Sequence, residues 1–296
     1  MKKVLIGITS KNRAGILPKA IRSAQLQEYE NKEVAVFDDN STDGTTKLQV
    51  QFPTIKWYFS NENKGYLFGR NMFLQTTDAD YYCSLDDDSW FLDNSHLQAA
   101  INFMNENSKV AVLAFKILSR DNSRHLIDNK ISETNNFIGC GHMLRVRAVN
   151  EVGNYAINPG FYGGEEKDLC IRLIDKNYSI IRYPSIEIWH DKSMVSRNIS
   201  KQHRSGVCND FVFMWRRTPA IYLIPSFALK FYVHISFPFR YKNMSLFVPL
   251  LFGIFDFAKV LFSGTLKREP VSKKTLKKYL SFNKTLITFS FMLLFN

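Results

Sequence analysis

Short apolar runs alternate with helical patterns over the first hundred residues, and this alternation restricts the possible folds more than any other feature. Buried strands are predicted at Val4–Ile8, Glu33–Phe37, Ile55–Phe59 and Tyr81–Leu85. Between the first two strands, apolar side chains recur at helical spacing over 16–27. Strands that alternate with helices predict an α/β fold, with a mostly parallel sheet and helices on both of its faces.

The later part of the chain predicts further elements in a less regular order. These are a helix near 96–107, a strand at Val110–Phe115, a polar stretch near 119–136, a glycine-rich turn entering a helix over 159–175, and two short strands at Ile180–Tyr183 and Ile186–Trp189. The last of these strands runs directly into His190.

Polar clusters follow three of the predicted strands. Residues 9–12 follow the first strand, residues 38–44 the second, and residues 86–88 the fourth. The carboxyl ends of parallel strands meet at one end of a sheet, where ligands gather in folds of this class. A solvated turn accounts for any one cluster but does not require all three to converge. The pattern therefore predicts a binding site at the carboxyl end of the sheet.

The row Asp86, Asp87 and Asp88 is the most unusual of these clusters. Adjacent carboxylates repel one another, and their pKa values rise unless a cation or hydrogen-bond donors relieve the repulsion. Taken alone, the row is consistent with either a cation site or an exposed acidic turn.

Composition indicates a folded protein of a reducing compartment. Of the 296 residues, 45% are hydrophobic and 22% are charged, the proportions of a globular protein. The four cysteines form no C-x-x-C pair, so neither a zinc site nor a disulfide framework is indicated. The apolar run Val4–Ile8 is too short for a secretory signal.

Basic residues are concentrated at the end of the chain. From Lys192 onward there are 17 lysines and arginines against three acids, whereas the net charge of the whole chain is +12. Such a segment favours an anionic partner, either nucleic acid or a lipid surface. No nucleic-acid-binding motif accompanies the charge, so we expect no nucleic acid partner.

The apolar content of the same segment favours a membrane surface. Its longest uncharged run, Asn243–Phe255, is shorter than the roughly 20 residues that cross a bilayer. Helices lying on an anionic membrane surface are therefore expected. A helical subdomain packed on the rest of the protein is the alternative.

Five motifs in order resemble family 2 glycosyltransferases of the GT-A fold. They are V-L-I-G-I-T-S-K-N-R with V-F-D-D-N-S-T-D-G-T near the start, N-K-G-Y-L-F-G-R-N at 63–71, L-D-D-D at 85–88, G-G-E-E-K-D-L-C-I-R at 163–172 and I-W-H at 188–190. The resemblance covers roughly residues 3–191. It implies transfer of a sugar from a nucleoside-diphosphate donor to a hydroxyl group.

The resemblance assigns a divalent cation, Mn²⁺ or Mg²⁺, to the acidic row. Asp88 would be the direct ligand, Asp86 would face the ribose or bind through water, and His190 would be a further ligand. Asp87, which points the other way on an extended chain, would be structural. A histidine that merely ends a strand is the alternative for His190.

The remaining donor contacts are expected near the first two strands. The resemblance implies base and ribose contacts by Thr9 and Asp39. For Asp39–Gly44, a turn and helix cap is the alternative or an added role. Arg70 would neutralise phosphate or brace Asp39. The aromatic residue usual in the first motif is replaced by Lys11, so stacking on the base is lost or supplied from elsewhere.

The resemblance assigns catalysis to the start of the 159–175 helix. Glu166 would be the general base, with Glu165 beside it, and Asp168 would brace the site or a nearby arginine. Acids are favoured at a helix start in any case, which is the alternative. The family usually has Asp where this chain has Glu166, whose carboxylate reaches one methylene further. A single displacement would invert the anomeric configuration.

We therefore expect two regions with distinct roles. A GT-A-like catalytic domain would span 1–200, with a nucleotide-binding half (1–100) and an acceptor half (101–200), and a helical, basic, membrane-associating region would span 201–296. The expected donor is a UDP- or dTDP-sugar and the acceptor a glycan or lipid-linked hydroxyl, for cell-surface polysaccharide synthesis.

The expected location is cytoplasmic, peripheral on the inner face of the cell membrane. A catalytically degenerate nucleotide-sugar-binding or scaffold protein is the alternative function. A sugar nucleotidyltransferase and an Asp-x-Asp phosphatase are disfavoured, because each has its motif after the first strand, which here leads into T-S-K-N-R-A-G.

Overall fold

The computed structural model describes residues 1–120, 129–160, 162–192 and 198–282, which belong to two compact units. The first unit comprises Met1–Tyr155 and Lys176–Lys192. The second comprises Ala156–Asp175 and Ser193–Asn296. The predicted functional boundary near residue 200 stays a prediction.

A nine-stranded sheet forms the centre of the first unit. Its strands are β1 (Val4–Ser10), β2 (Lys32–Asp38), β3 (Lys56–Phe59), β4 (Tyr81–Asp86), β5 (Ser89–Phe91), β6 (Val110–Leu118), β7 (Ser132–Thr134), β8 (Gly141–Arg145) and β9 (Ser179–His190). The order is β3-β2-β1-β4-β8-β6-β9-β5, with β7 paired to β9. The strands β1 to β4 pair in parallel, and β6 pairs in parallel with β9. The strands β5, β7 and β8 add antiparallel pairs.

Helices cover this sheet and bury its central strands. They are α1 (Leu17–Gln25), α2 (Leu48–Gln51), α3 (Tyr66–Thr76), α4 (His96–Glu106) and α5 (Val146–Glu151). Every residue of β1 is buried, as expected for a central strand covered on both faces. The buried side of α1 consists of Leu17, Ala20, Ile21 and Ala24, which recur at helical spacing. The predicted α/β fold is confirmed.

The predicted convergence of the polar clusters is also confirmed. In the parallel register Thr9 lies beside Asp86 and Ser10 beside Asp38, so the ends of β1, β2 and β4 are level. One local prediction was wrong, because the two short strands predicted around Ile180 and Ile186 form the single strand β9. Part of the predicted polar stretch, 121–128, lies outside the described residues.

The second unit is helical over its described residues. Its helices are α6 (Glu165–Asp175), α7 (Ile199–Arg217), α8 (Leu223–Ile235), α9 (Phe237–Arg240), α10 (Phe247–Phe262) and α11 (Lys273–Ser281). Its apolar core includes Val207, Phe211, Leu250 and Phe257, contributed by α7 and α10. The aromatic ring of Phe227, from α8, stacks on Phe211 with the ring centroids 5.4 Å apart.

Two segments of this unit are long and apolar enough to cross a membrane, by length and composition. They are Ala220–Arg240 and Met244–Phe262, of 21 and 19 residues. The expectation that no segment reaches this length was wrong, because helical structure continues through Lys230, Asp256 and Lys259. In α10 the apolar side chains of Val248, Leu251, Phe252, Phe255 and Phe262 are exposed, at the spacing of one helix face.

Candidate functional site

The acidic row forms a tight turn at the end of β4. Asp86 ends β4, and Asp87 and Asp88 form the two-residue turn that leads into β5. The hydroxyl of Ser89 accepts a hydrogen bond from the Asp86 N–H (2.8 Å) and donates one to the Cys140 carbonyl (2.8 Å). The turn is thereby fixed to the segment before β8.

His190 lies against this turn because β5 pairs with the end of β9. Its Nε2 is 3.2 Å from Asp88 Oδ1, and its Nδ1 is 3.4 Å from Cys140 Sγ. One ligand atom each from Asp86, Cys140 and His190 lies within 4.8 Å of the others. The acidic row and His190, far apart in sequence, are thus brought together.

The chemistry of this donor set fits a hard or borderline divalent cation. Two carboxylates and an imidazole suit Mn²⁺, and carboxylates alone suit Mg²⁺. Burial raises the pKa of the Cys140 thiol well above its ordinary value, so the sulfur stays protonated and is a poor ligand. Its contact with His190 Nδ1 instead orients the ring. Cys140 was missed in the sequence, since no spacing motif marks it.

Asp87 differs from its neighbours in its environment. Its carboxylate accepts from the Lys11 N–H (3.3 Å) and lies 3.6 Å from Arg13 Nε. Burial, with the nearby Asp88 and Asp86 carboxylates, raises the pKa of Asp87 to about 7. These contacts join the acidic turn to the loop after β1 and agree with the structural role predicted for Asp87.

Arg70 contacts the acidic turn from α3. Its Nη2 donates to Asp86 Oδ1 (2.7 Å) and to the Gly139 carbonyl (2.9 Å), and the guanidinium faces the Tyr66 ring. Burial lowers the pKa of Arg70, but the Asp86 carboxylate and the neighbouring tyrosines together outweigh burial and raise this pKa well above its ordinary value, so the group stays charged. The predicted brace to Asp39 was wrong, because the carboxylate within reach of this buried arginine is that of Asp86.

Asp39 holds the loop that enters α3. Its two carboxylate oxygens accept from the Lys64 N–H (2.7 Å) and the Gly65 N–H (2.9 Å). Gly65 has a φ of 84°, a conformation that favours glycine. Thr9 is buried near the end of β1, next to Asp86 in the register. Asp39 therefore has a structural role whether or not it also contacts a ligand.

A pocket of about 380 Å³ opens at the end of β2. It is lined by Asp38, Asn40, Ser41, Thr46, Gln49, Phe59, Ser60 and Asn61. Asp38 is buried, and one of its carboxylate oxygens accepts from the Ser41 N–H, while the other has no partner among the described residues. Phe59 is 45% exposed. Asp38 belongs to the predicted polar cluster at 38–44, whereas Phe59 was not singled out in the sequence, because the end of β3 carries no motif.

The second unit contains the predicted catalytic helix start. Gly163 and Gly164 precede α6 with φ of 85° and 97°. The buried Asn209 holds this glycine-rich segment, accepting from the Gly160 N–H (2.8 Å) and donating to the Gly163 carbonyl (2.6 Å). Asn209 was missed in the sequence, because only the fold brings α7 to this loop.

The three acids of the first turn of α6 differ in exposure. Glu165 and Asp168 are buried, whereas Glu166 is partly exposed. Asp168 accepts from Arg217 Nε (2.7 Å) and Arg172 Nε (2.8 Å), which confirms its predicted role as a brace for a nearby arginine. Of the three carboxylates, that of Glu166 is the one accessible to a substrate.

Comparison with known proteins gives a consistent result. The family model described as Glycosyl transferase family 2 matches residues 5–158, about half of the chain. This range includes β1 to β8 and the acidic turn, and ends before α6.

Two curated relatives illustrate the similarity. The chain is 28% identical over 217 residues to a GalNAc(5)-diNAcBac-PP-undecaprenol beta-1,3-glucosyltransferase of Campylobacter jejuni, covering 65% of this chain and 70% of the relative. It is 33% identical over 98 residues to an uncharacterized glycosyltransferase of Haemophilus influenzae, covering 32% of this chain and 39% of the relative.

Solved structures share the fold. The mannosyltransferase PcManGT of Pyrobaculum calidifontis, in complex with GDP-Man and Mn²⁺, matches with a TM-score of 0.60 at 14% identity, covering 98% of this chain and 83% of that one. TarS 1-349 of S. aureus matches with a TM-score of 0.56 at 14% identity, covering 95% and 78%. Both likenesses concern the fold.

Asp87 gives the site a pH-dependent stability. With a pKa of about 7 in the folded protein, this carboxyl keeps a proton that the unfolded chain releases near pH 4, so the folded state loses stability as pH rises from 5 to 8. In metal-free protein, the free energy of unfolding of Asp87→Asn should therefore increase relative to that of wild type by about 1 to 2 kcal/mol as the pH rises from 5 to 8. Urea unfolding at several pH values measures the difference.

Asp78→Asn is the matched control for this experiment. The hydrogen bond from Lys3 lowers the pKa of Asp78, so Asp78 titrates below this pH range. The difference in unfolding free energy between Asp78→Asn and wild type should therefore stay constant. A constant difference for Asp87→Asn as well would contradict the assigned environment.

Proposed function

Because the chain belongs to glycosyltransferase family 2, we propose that it is an inverting, metal-dependent enzyme that moves a sugar from a nucleoside-diphosphate donor to a lipid-linked glycan. The observation that carries this proposal is the level alignment of β1, β2 and β4, whose ends bring Thr9, Asp38 and Asp86 to one end of the sheet. Such an alignment supports a donor site there.

The donor's diphosphate would bind at the acidic turn. Asp88, Asp86 and His190 would hold a divalent cation, which when bound neutralises the charge that develops on the departing nucleoside diphosphate. Cys140 would keep His190 oriented. Arg70 would hold Asp86 in position, because its guanidinium donates a charged hydrogen bond to this carboxylate.

The donor's base would occupy the pocket at the end of β2. The carboxylate of Asp38, which lines this pocket, would accept a hydrogen bond from an N–H of uracil or thymine. The exposed ring of Phe59 would stack on the base and replace the aromatic that Lys11 displaces from the first motif. Thr9 and Asp39 would complete the base and ribose contacts, as the family motifs imply. This pairing favours a uridine or thymidine nucleotide.

Glu166 would act as the general base, with Glu165 as its buried neighbour. It would take the proton of the acceptor hydroxyl as the hydroxyl oxygen attacks the anomeric carbon and the bond to the diphosphate breaks. One displacement from the opposite side inverts the anomeric configuration. The partial exposure of Glu166 and the tether from Asn209 to the glycine-rich segment before it support this role.

The acceptor would be carried on a membrane lipid. A relative named for a PP-undecaprenol substrate supports this choice. Exposed apolar side chains on α8 and α10, with the basic charge of the chain's end, support docking on an anionic membrane surface. The product would be a cell-surface polysaccharide precursor, made on the cytoplasmic face of the cell membrane. A degenerate nucleotide-sugar-binding scaffold is the alternative, and it would bind donor without turning it over.

Substitution of the proposed general base, Glu166, tests the catalytic mechanism. With UDP- and dTDP-sugars and Mn²⁺, wild-type protein should release nucleoside diphosphate, and Glu166→Gln should reduce the rate at least about a hundredfold with donor affinity unchanged. Glu166→Asp should recover part of the rate. Glu165→Gln is the matched control, because its carboxyl is buried, and it should lose less than about tenfold. Equal rates for wild type and Glu166→Gln would contradict the role of this base.

Substitution of Phe59 tests the base pocket. Loss of one stacked base typically costs about 1 to 3 kcal/mol, so Phe59→Ala should weaken Mn²⁺-dependent binding of UDP or dTDP about tenfold in calorimetry. Phe262→Ala removes a more exposed ring from α10 and should leave affinity unchanged. If both variants bind UDP or dTDP like wild type, the nucleotide base does not bind at Phe59.

A further inference from the structure

A cluster of charged side chains joins three helices of the second unit. Asp210 of α7 accepts hydrogen bonds from Lys167 of α6, and from Lys230 and His234 of α8. The Lys230 Nζ and His234 Nε2 contacts to Asp210 Oδ2 are 3.2 Å and 3.0 Å. We call these four residues the Asp210 cluster.

The Asp210 cluster carries more positive than negative charge. When both lysines are protonated, two ammonium groups share one carboxylate. Burial lowers the pKa of His234 to about 4, so its imidazole is neutral and one positive charge is in excess. Burial lowers the pKa of Lys167 to about 7, Lys230 adds to this effect, and the acids of α6 oppose it. Of these acids Asp168 has the largest effect, and it is already paired with Arg172 and Arg217. A bound anion would balance the excess charge.

The two lysines are accessible, whereas the groups that hold them are not. The side chains of Lys167 and Lys230 are 24% and 31% exposed, against 14% for Asp210 and 10% for His234. Each ammonium has three N–H donors, so its bond to Asp210 leaves others for a ligand. Asp210 therefore fixes the two lysines as a pair of cationic donors open to solvent.

The surroundings of the cluster indicate what kind of anion would bind. Lys230 and His234 occupy the inner side of α8, and the exposed side of the same helix carries Ile224 and Phe231, seven residues apart. A lysine in the middle of so apolar a segment is costly and usually functional. Lys167 directly follows Glu166, the proposed base, on α6.

We propose that Lys167 and Lys230 bind the diphosphate of a lipid-linked acceptor, whose hydrocarbon chain lies along the exposed apolar side of α8. This inference rests on the proposed function, which supplies the lipid-linked acceptor. A diphosphate matches two adjacent ammonium groups in charge. The Asp210 cluster thus selects acceptors in which the glycan is joined to lipid through phosphate.

Binding of a short polyprenyl diphosphate tests this site in the full-length protein. Geranylgeranyl diphosphate in detergent micelles is titrated into wild type, Lys167→Gln, Lys230→Gln and the control Lys259→Gln, which removes an exposed lysine of α10. The two cluster variants should weaken binding at least tenfold, and Lys259→Gln should change it less than twofold. Lys167→Arg and Lys230→Arg keep the charge and should retain binding, which separates loss of the site from loss of folding.

Three results would overturn the proposal. They are unchanged affinity in both cluster variants, equal loss in Lys259→Gln, and equally tight binding of geranylgeraniol, which lacks the diphosphate. A further arm uses phosphatidylglycerol vesicles. If the cluster variants lose vesicle binding but keep the diphosphate, the site serves a phospholipid headgroup and the proposal is wrong.

Nucleotide binding separates this inference from the proposed function. UDP or dTDP with Mn²⁺ should bind the cluster variants as it binds wild type, because neither lysine is among the proposed contacts to the nucleotide. If the nucleotide binds but binding of geranylgeranyl diphosphate does not depend on the lysines, the acceptor site alone is overturned. Diphosphate binding that depends on the lysines, without any nucleotide binding, overturns the transferase proposal instead.

Discussion

The in-register alignment of β1, β2 and β4 is the constraint on which the candidate donor site depends. Parallel pairing brings Thr9 beside Asp86 and Ser10 beside Asp38, so the chain leaves all three strands at one level. The turn into β5 then reverses the chain, and pairing of β5 with β9 brings His190 to Asp88. A shift of one residue in any of these pairings would turn the carboxylates away from one another.

The sequence was sufficient for the parts of this arrangement that have a local signal. The apolar strands, the helix over 16–27 and the polar clusters are each visible within a few residues, and the parallel-sheet rule predicts their convergence. The family resemblance added His190, which no local pattern connects to Asp88. It also implied the brace role of Asp168, which the contacts with Arg217 and Arg172 confirm.

Contacts between distant segments were not predictable in the same way. The predicted partner of Arg70, Asp39, was wrong. The Asp39 carboxylate accepts hydrogen bonds from the backbone of the loop entering α3, and Arg70 donates to Asp86 instead. Cys140 and Asn209 act on the candidate sites from 50 and 49 residues away in the chain. The length of the apolar helix α10 was underestimated from the sequence, since Asp256 and Lys259 interrupt the uncharged run but not the helix.

Binding of nucleoside diphosphates is the most direct test of the account. UDP, dTDP, GDP and CMP are titrated calorimetrically into wild type and Asp88→Asn, with and without Mn²⁺. The account predicts that UDP or dTDP binds only with Mn²⁺, and that the Asp88 variant loses this binding. Binding that ignores both the metal and Asp88, or no binding of any nucleotide, would contradict it.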